Sequence, residues 1–328
     1  MVLVLSRNDV KKLITMEQAI DAVGEAFAGF SRGEAAVPVR SVILIPEQQG
    51  WYGIMPAYLA GSGAMGVKSV TVYRGNPAKG IPATLGVNLL LDPTTGVPLA
   101  VMEAGYLTGI RTAAASGVAT RLMASPEASE LALIGAGAQG RFHLTAMTAV
   151  RPIRKVRVYD AIREAAEWFR QEMQPSTEAI IEVVGSPEEA MRGADVIVTT
   201  STSKTPVVEL AWLKPGAHIN GVGSHSPDAR EIAGEVMAKA RVVVESREAA
   251  LKEAGDLLMP IADGLTTAEH FADELGEVVD GKKPGRSSAD QITLFKTVGI
   301  AVQDMAVAKL VYDRAVAAGV GTGVELMD

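Results

Sequence analysis

Apolar residues recur at two different periods in the two halves of the chain, and the change comes near residue 115. From Thr15 the spacing is helical. Ile20, Val23, Phe27 and Phe30 share one face, Thr15 and Gln18 make a capping box, and Gly33 ends the run. The period then shortens to that of extended chain over Val37–Ile45, Gly53–Leu59 and Met65–Tyr73. Thr84–Asp92 and Val97–Met102 flank Pro93-Thr94-Thr95-Gly96, a hairpin signal. An Ala/Gly-rich helix follows over Tyr106–Met123, with Arg111 and Arg121 its only charges. This half predicts a mixed, largely antiparallel unit with one early helix.

The second half alternates short apolar runs with helical patterns. Leu131–Ile134, Val156–Tyr159, Ile180–Val184, Val196–Thr200, Ala217–Val222 and Val242–Glu245 read as strands. Helices are expected from the glycines after Ile134 to Val150, over Ile162–Met173 and over Pro187–Arg192. Such alternation implies parallel βαβ units with right-handed crossovers. A long helical stretch is expected from Gln291 to Ala318, its last part packing back on the first domain.

Composition narrows the function. The 328 residues suit two domains rather than one. The net charge of −7 argues against nucleic acid or an anionic membrane as main partner, since both attract basic surfaces. No run of ~18 apolar residues predicts a membrane span, and the opening MVLVLSRNDVKK is too short and wrongly ordered for a signal peptide. The absence of cysteine excludes disulfides, zinc–cysteine sites and a thiol nucleophile, and is compatible with a cytoplasmic setting. The 33 glycines exceed an ordinary share of ~7%, which suits tight βα turns and close backbone approach to a ligand.

The sharpest chemical signal is Gly135-Ala136-Gly137-Ala138-Gln139-Gly140, directly after an apolar strand and opening a helix. The first glycine permits the tight turn and the second lets backbone N–H groups approach a pyrophosphate. The third lets helix and strand pack closely, and the helix N-terminus stabilises phosphate charge. Asp160, twenty residues past Gly140, has the spacing of the acid that takes the ribose hydroxyls. NAD(H) is therefore the preferred cofactor, and the nearby Arg163 leaves NADP(H) open.

Other signals are weaker. Gly29-Phe30-Ser31-Arg32-Gly33 matches a nucleophile elbow as a string but ends an amphipathic helix, the wrong context. His143, His218, His225 and His270 show no i,i+4 spacing, so no metal site is expected. His225 differs in following the strand Ala217–Val222, where open α/β sheets place ligands. An active-site position and a loop residue without chemical role both stand for it. Arg40, Lys68 and Arg111 sit among apolar or small residues; singly each reads as a solvated side chain, but beside a dinucleotide site they suggest a carboxylate-binding pocket.

Several segments together carry a family pattern: Pro38-Val39-Arg40, Met55-Pro56-Ala57-Tyr58, Gly66-Val67-Lys68, Gly75-Asn76-Pro77, Gly80-Ile81-Pro82 and Pro98–Met102. It continues through Arg111-Thr112-Ala113-Ala114, Gly135–Gln139, Lys214–Asn220 and Glu274–Val278. Over nearly its whole length the chain resembles the ornithine cyclodeaminase/mu-crystallin family, which includes archaeal-type alanine dehydrogenases and cyclic-ketimine reductases. The resemblance implies an α/β fold: a Rossmann NAD(P)-binding domain at 116–297 and a mixed α+β substrate and dimerisation domain at 1–115 with 298–328. It also implies a homodimer. By position, Arg40, Lys68 and Arg111 resemble the family's carboxylate binders, and Lys68 falls where its alanine dehydrogenases place a proton donor or acceptor. Thr84, Thr112, Gln139, Asp160, Thr200, Ser201 and Thr202 resemble cofactor contacts. Arg111, Gly135, Gly137, Ala138, Gly140, Val222 and Gly223 complete that set.

Two departures bear on the subtype. The family's cyclodeaminases carry an Asp where alignment of Pro227 and Glu231 puts His225 or Ser224, and a Glu where this chain has Gly53. Without those carboxylates the second amino group of ornithine lacks a partner. Gly223–Glu231 and Met55–Tyr58 look more like the mu-crystallin and ketimine-reductase branch, whereas Gly75–Pro82 and Asp160 look like the alanine dehydrogenases. The reading is an NAD(P)H-dependent reductase of small 2-imino acids, with Δ1-pyrroline-2-carboxylate the first choice of substrate. Alanine dehydrogenase, ornithine cyclodeaminase and a non-catalytic NAD(P)- and ligand-binding protein are the alternatives.

Overall fold

Two sheets carry the fold in the computed structural model, which describes residues 1–326. Each belongs to one of two units: Met1–Thr112 with the chain from Ile300 onward, and Ala113–Gly299.

The first unit contains β1 (Val2–Leu5), α1 (Arg7–Leu13), α2 (Met16–Ser31), β2 (Ala35–Ala36), β3 (Ser41–Ile45) and β4 (Gly50–Leu59). It continues with β5 (Ala64–Tyr73), β6 (Thr84–Leu91), β7 (Pro98–Glu103) and the start of α3 (Ala104–Met123). A C-terminal helix (Ala301–Ala318) and a C-terminal strand (Thr322–Val324) complete it. The sheet runs from the C-terminal strand through β1, β7, β6, β5 and β4 to β2, with β3 also on β4. All pairs are antiparallel except β1 with β7. Both Ser6 and Thr15 cap their helices through reciprocal capping boxes, as the Thr15–Gln18 spacing predicts.

Register gives this sheet two unlike faces. Met55, Lys68, Asn88, Met102 and Leu5 stand opposite one another across five strands, and all are buried. The C-terminal helix packs against β4, β5 and β6 and against α2. Close approach is built in: a Cβ on Gly66 would lie 3.0 Å from the Met305 sulfur. On the other face Ile43, Ile54, Tyr58, Leu85 and Val87 are exposed, Ile43 to 59%.

The second unit is a parallel sheet: β8 (Glu130–Ile134), β9 (Lys155–Tyr159), β10 (Ile180–Val183), β11 (Val196–Thr199), β12 (His218–Gly221), β13 (Arg241–Val244) and β14 (Thr293–Lys296). Its order is β10-β9-β8-β11-β12-β14-β13. The chain winds one way from β8 to β10, then crosses to β11 on the other side of β8. Between β8 and β11 the winding reverses, the place where open α/β sheets bind ligands at strand carboxyl ends. Helices α4 (Ala138–Val150) and α5 (Arg163–Met173) cross between the first three strands.

Two expectations fail. The first unit has two early helices, α1 and α2, where one is expected, because the seven residues of α1 are too few to show a helical period. The stretch from Gln291 is not helical throughout: Thr293–Lys296 is the wholly buried strand β14, and the helix starts at Ala301. Only Leu294 and Phe295 of these four residues are apolar, and so short a segment has no period that separates strand from helix.

Two histidines are core residues of the second unit. His143 donates from Nδ1 to the Gln139 carbonyl at 2.8 Å and accepts from Ser116 at Nε2. His218 pairs with Thr293 at 2.9 Å. Burial pushes their pKa values down to about 4 and about 3, from an ordinary 6.5. Because the folded values are depressed, the unfolded chain takes up protons first as the pH falls. Stability is full above about pH 6.5 and is lost toward pH 4. The urea midpoint should fall steadily across that window, and His218→Asn should make the fall shallower.

Candidate active site

In the first unit the candidate chemistry centres on Lys68, on the inner face of β5. A lysine at this depth needs a counter-charge, and the C-terminal helix supplies it from its first turn. Lys68 Nζ lies 2.9 Å from Asp304 Oδ1, with both side chains essentially inaccessible. Arg111 Nε on α3 lies 3.1 Å from the same oxygen, and the guanidinium also donates to Gln303 Oε1. Burial pushes the Lys68 ammonium down to about 7. The Arg111 charge acts in the same direction, Asp304 opposes it, and Arg40 adds a smaller depression.

Polar capacity remains around this cluster. Asp304 Oδ2 and both amide atoms of Asn88, directly across from Lys68, are buried without hydrogen-bond partners. Buried polar atoms left this way favour a small polar molecule that can pair with them. Arg40 is partly buried in the extended run before β3. Thr84 opens β6, half-buried, and the buried Thr112 hydroxyl donates to Thr108 O at 2.8 Å, within its own helix.

In the second unit the glycine-rich turn leaves β8 at the winding reversal. Gly135 has φ +104°, and a Cβ there would lie 2.8 Å from the Thr200 carbonyl. The Thr200 hydroxyl donates to Gly135 O at 2.9 Å, so the loops after β8 and β11 are in contact. A Cβ on Gly140 would come within 2.5 Å of Gly135 O, which fixes glycine where helix meets turn. Gly137 is the exposed N-cap of α4, with no side-chain cap and open space where its Cβ would be. Ala138 is exposed and Gln139 intermediate beside it. Asp160, past the end of β9, accepts from Ala136 N at 2.8 Å and from Ile162 N at 2.9 Å. An open helix N-terminus with a carboxylate held beside the turn fits a dinucleotide: N–H groups for the pyrophosphate, Asp160 for the ribose diol.

Thr200, Ser201 and Thr202 follow β11, and Val222, Gly223 and His225 follow β12 on the adjacent strand. His225 is exposed, its Nδ1 donating to Gly223 O at 3.0 Å. Arg163 faces Glu167 at 3.3 Å. Among the described residues no group of three His, Asp or Glu is disposed to hold a metal ion.

The model of the ornithine cyclodeaminase/mu-crystallin family matches residues 1–319. The chain belongs to that family. A Δ1-pyrroline-2-carboxylate reductase of Bacillus cereus is 42% identical over 98% of this chain and 99% of its own. Among solved structures, the Δ1-pyrroline-2-carboxylate reductase of Thermococcus litoralis in complex with NADH and L-proline matches with a TM-score of 0.96. It is 42% identical, over 98% of this chain and all of that one. An archaeal alanine dehydrogenase dimer with bound NAD gives 0.93 at 37% identity, over 99% of both chains.

Within this family member, the structure gathers Lys68 and Arg111 on one carboxylate, with the Arg40 charge acting on Lys68. It gathers Gly135 and Thr200 at the winding reversal, and Asp160 beside Ala136. Asp304 and Gln303, which do the gathering around Lys68, escaped the sequence reading. The available signal was two adjacent polar residues in the otherwise apolar run Gly299–Ala308. Gly53 also has a structural reason: a Cβ there would meet the Trp51 ring at 2.8 Å.

Losing charge-assisted hydrogen bonds from Asp160 removes roughly 1.5–3 kcal/mol. Asp160→Ala should therefore weaken NADH binding about tenfold or more in a fluorescence titration, and weaken NADPH binding much less.

Proposed function

We propose that this protein is an NADH-dependent reductase of cyclic 2-imino acids, with Δ1-pyrroline-2-carboxylate the first substrate and proline its product. The observation that carries the reading is the buried cluster of Lys68, Arg111 and Asp304, with Arg40 acting on it, in a chain that also has a dinucleotide-type turn. The reductase relatives from Bacillus cereus and Thermococcus litoralis support the substrate class. NADP(H) is the secondary cofactor, since Asp160 disfavours a 2′-phosphate.

Arg40 and Arg111 hold the substrate carboxylate, and so fix where the C=N carbon sits. Positioning of this kind supplies a large part of a rate enhancement. Bound NADH supplies a hydride from its nicotinamide ring. Lys68 gives a proton to the imine nitrogen as the carbon becomes C–H, and a pKa near 7 suits donation at neutral pH. His225, in the loop after β12, is a further substrate contact in this reading. The Glu of the cyclodeaminases has no counterpart at Gly53, and His225 or Ser224 stands in place of their Asp, so a second, cationic amine has no carboxylate from either position.

Reductive amination of pyruvate is the second reading, favoured by the likeness to the archaeal alanine dehydrogenase. NADH oxidation on purified protein separates the two. Oxidation with Δ1-pyrroline-2-carboxylate and Δ1-piperideine-2-carboxylate is expected; oxidation only with pyruvate and ammonia would overturn the assignment. Lys68→Ala should cut kcat about 10²-fold or more while NADH affinity stays within about twofold.

We also propose that the protein works as a homodimer through the uncovered face of the first sheet. Ile43, Ile54, Tyr58, Leu85 and Val87 form an exposed apolar surface there, and such surfaces mark association sites. The archaeal relative described as a dimer supports this. Ile54→Asp with Val87→Asp should shift the species seen by light scattering from dimer to monomer.

A further inference from the structure

One buried carboxylate in the second unit is unused so far. Glu231 is fully buried, and its two oxygens collect five hydrogen bonds from the ends of two neighbouring strands. Oε1 accepts from Ser201 N at 2.8 Å and Ser201 Oγ at 2.6 Å. Oε2 accepts from Thr199 Oγ1 at 2.9 Å, Gly223 N at 2.7 Å and Ser224 N at 3.2 Å. The first three donors follow or end β11, and the last two follow β12.

Glu231 is itself held. Its backbone N and that of Ile232 donate to Asp256 Oδ1 at 2.8 and 3.0 Å. Asp256 Oδ2 pairs with Lys296 Nζ at 2.9 Å, and that ammonium donates to Ser224 O at 2.6 Å. The packing leaves no slack: a Cβ on Gly223 would lie 2.2 Å from Ser201 O and 2.6 Å from both Glu231 oxygens. So the two loops touch, and the carboxylate beneath them sets their spacing.

In a doubly wound sheet each mononucleotide of the cofactor occupies one half. The turn after β8 and Asp160 belong to the half that takes ADP-ribose, which leaves the ends of β11 and β12 to the nicotinamide half. We infer that Glu231 is a positioning residue for the nicotinamide half of the cofactor, holding the loops 200–202 and 222–225 in the spacing that receives it. The inference rests on the dinucleotide reading above. The two hydroxyls can turn to accept, but backbone N–H groups reach both oxygens, so a neutral amide there presents N–H to at least one of them and leaves a buried donor unmet.

The test compares two ligands on the full-length protein by calorimetry: NADH, which needs both halves, and ADP-ribose, which needs only the first. For Glu231→Gln, the Kd of NADH should rise about tenfold and that of ADP-ribose should change less than about twofold. Gly223→Ala, which presses a methyl group onto the Ser201 carbonyl and both Glu231 oxygens while leaving the carboxylate in the chain, should show the same split if the first variant fails to fold. Equal weakening of both ligands, or of neither, would overturn the role given to Glu231. A wild-type protein that binds neither ligand would instead remove the dinucleotide reading beneath it.

Discussion

A lysine buried to 1% exposure between a sheet and a helix must have its charge met there or lose it. Here Asp304 meets it, from 236 residues away in sequence. The pair ties β5 to the C-terminal helix, and Arg111 joins the same carboxylate from α3. Replacing such a buried group by packed apolar residues is often neutral or stabilising, so stability alone gives little reason to keep three charges in this place. Chemistry gives a reason. Two cations share one anion, which leaves an excess positive charge beside Asn88 and a lysine whose proton is weakly held near neutral pH. That is an environment for a small carboxylate with a basic nitrogen.

The second unit answers a different constraint, the need for backbone to come close to a ligand. At the winding reversal, glycines stand where a Cβ would collide with Thr200 or with the Gly135 carbonyl. Around them the charged side chains are committed to holding loops. Asp160 holds Ala136 and Ile162, and Arg141 donates to the carbonyls of Ala136 and Gly137. Glu231 does the same for the next two strand ends. These hydrogen bonds hold the turn proposed to meet the cofactor without any ligand, an arrangement that limits the ordering cost of binding.

Much of this was legible in the sequence because it is local. The glycine turn with its flanking strand and helix, and Asp160 at its spacing, rest on contacts within about one βαβ unit. Lys68 stood out as a charge in an apolar strand. What escaped is what depends on distant partners. Asp304 and Gln303 lie in a helix buried on most sides, where the amphipathic signal is faint. Strand β14 is four residues long and its neighbours β12 and β13 come much earlier in the chain, so only the sheet identifies it. The short strand β1 and the edge strand Thr322–Val324 pair with each other across nearly the full chain length, and neither has a pattern of its own.

The most direct test of the charge cluster is a titration of the Lys68 side chain by NMR, using lysine labelled at its side-chain nitrogen and the Lys68→Met variant for assignment. The account predicts an apparent pKa of about 7 in the wild-type protein. It predicts a lower value in Asp304→Asn, since the aspartate charge holds the proton on. Titration near the ordinary 10.5, unmoved by Asp304→Asn, would contradict it.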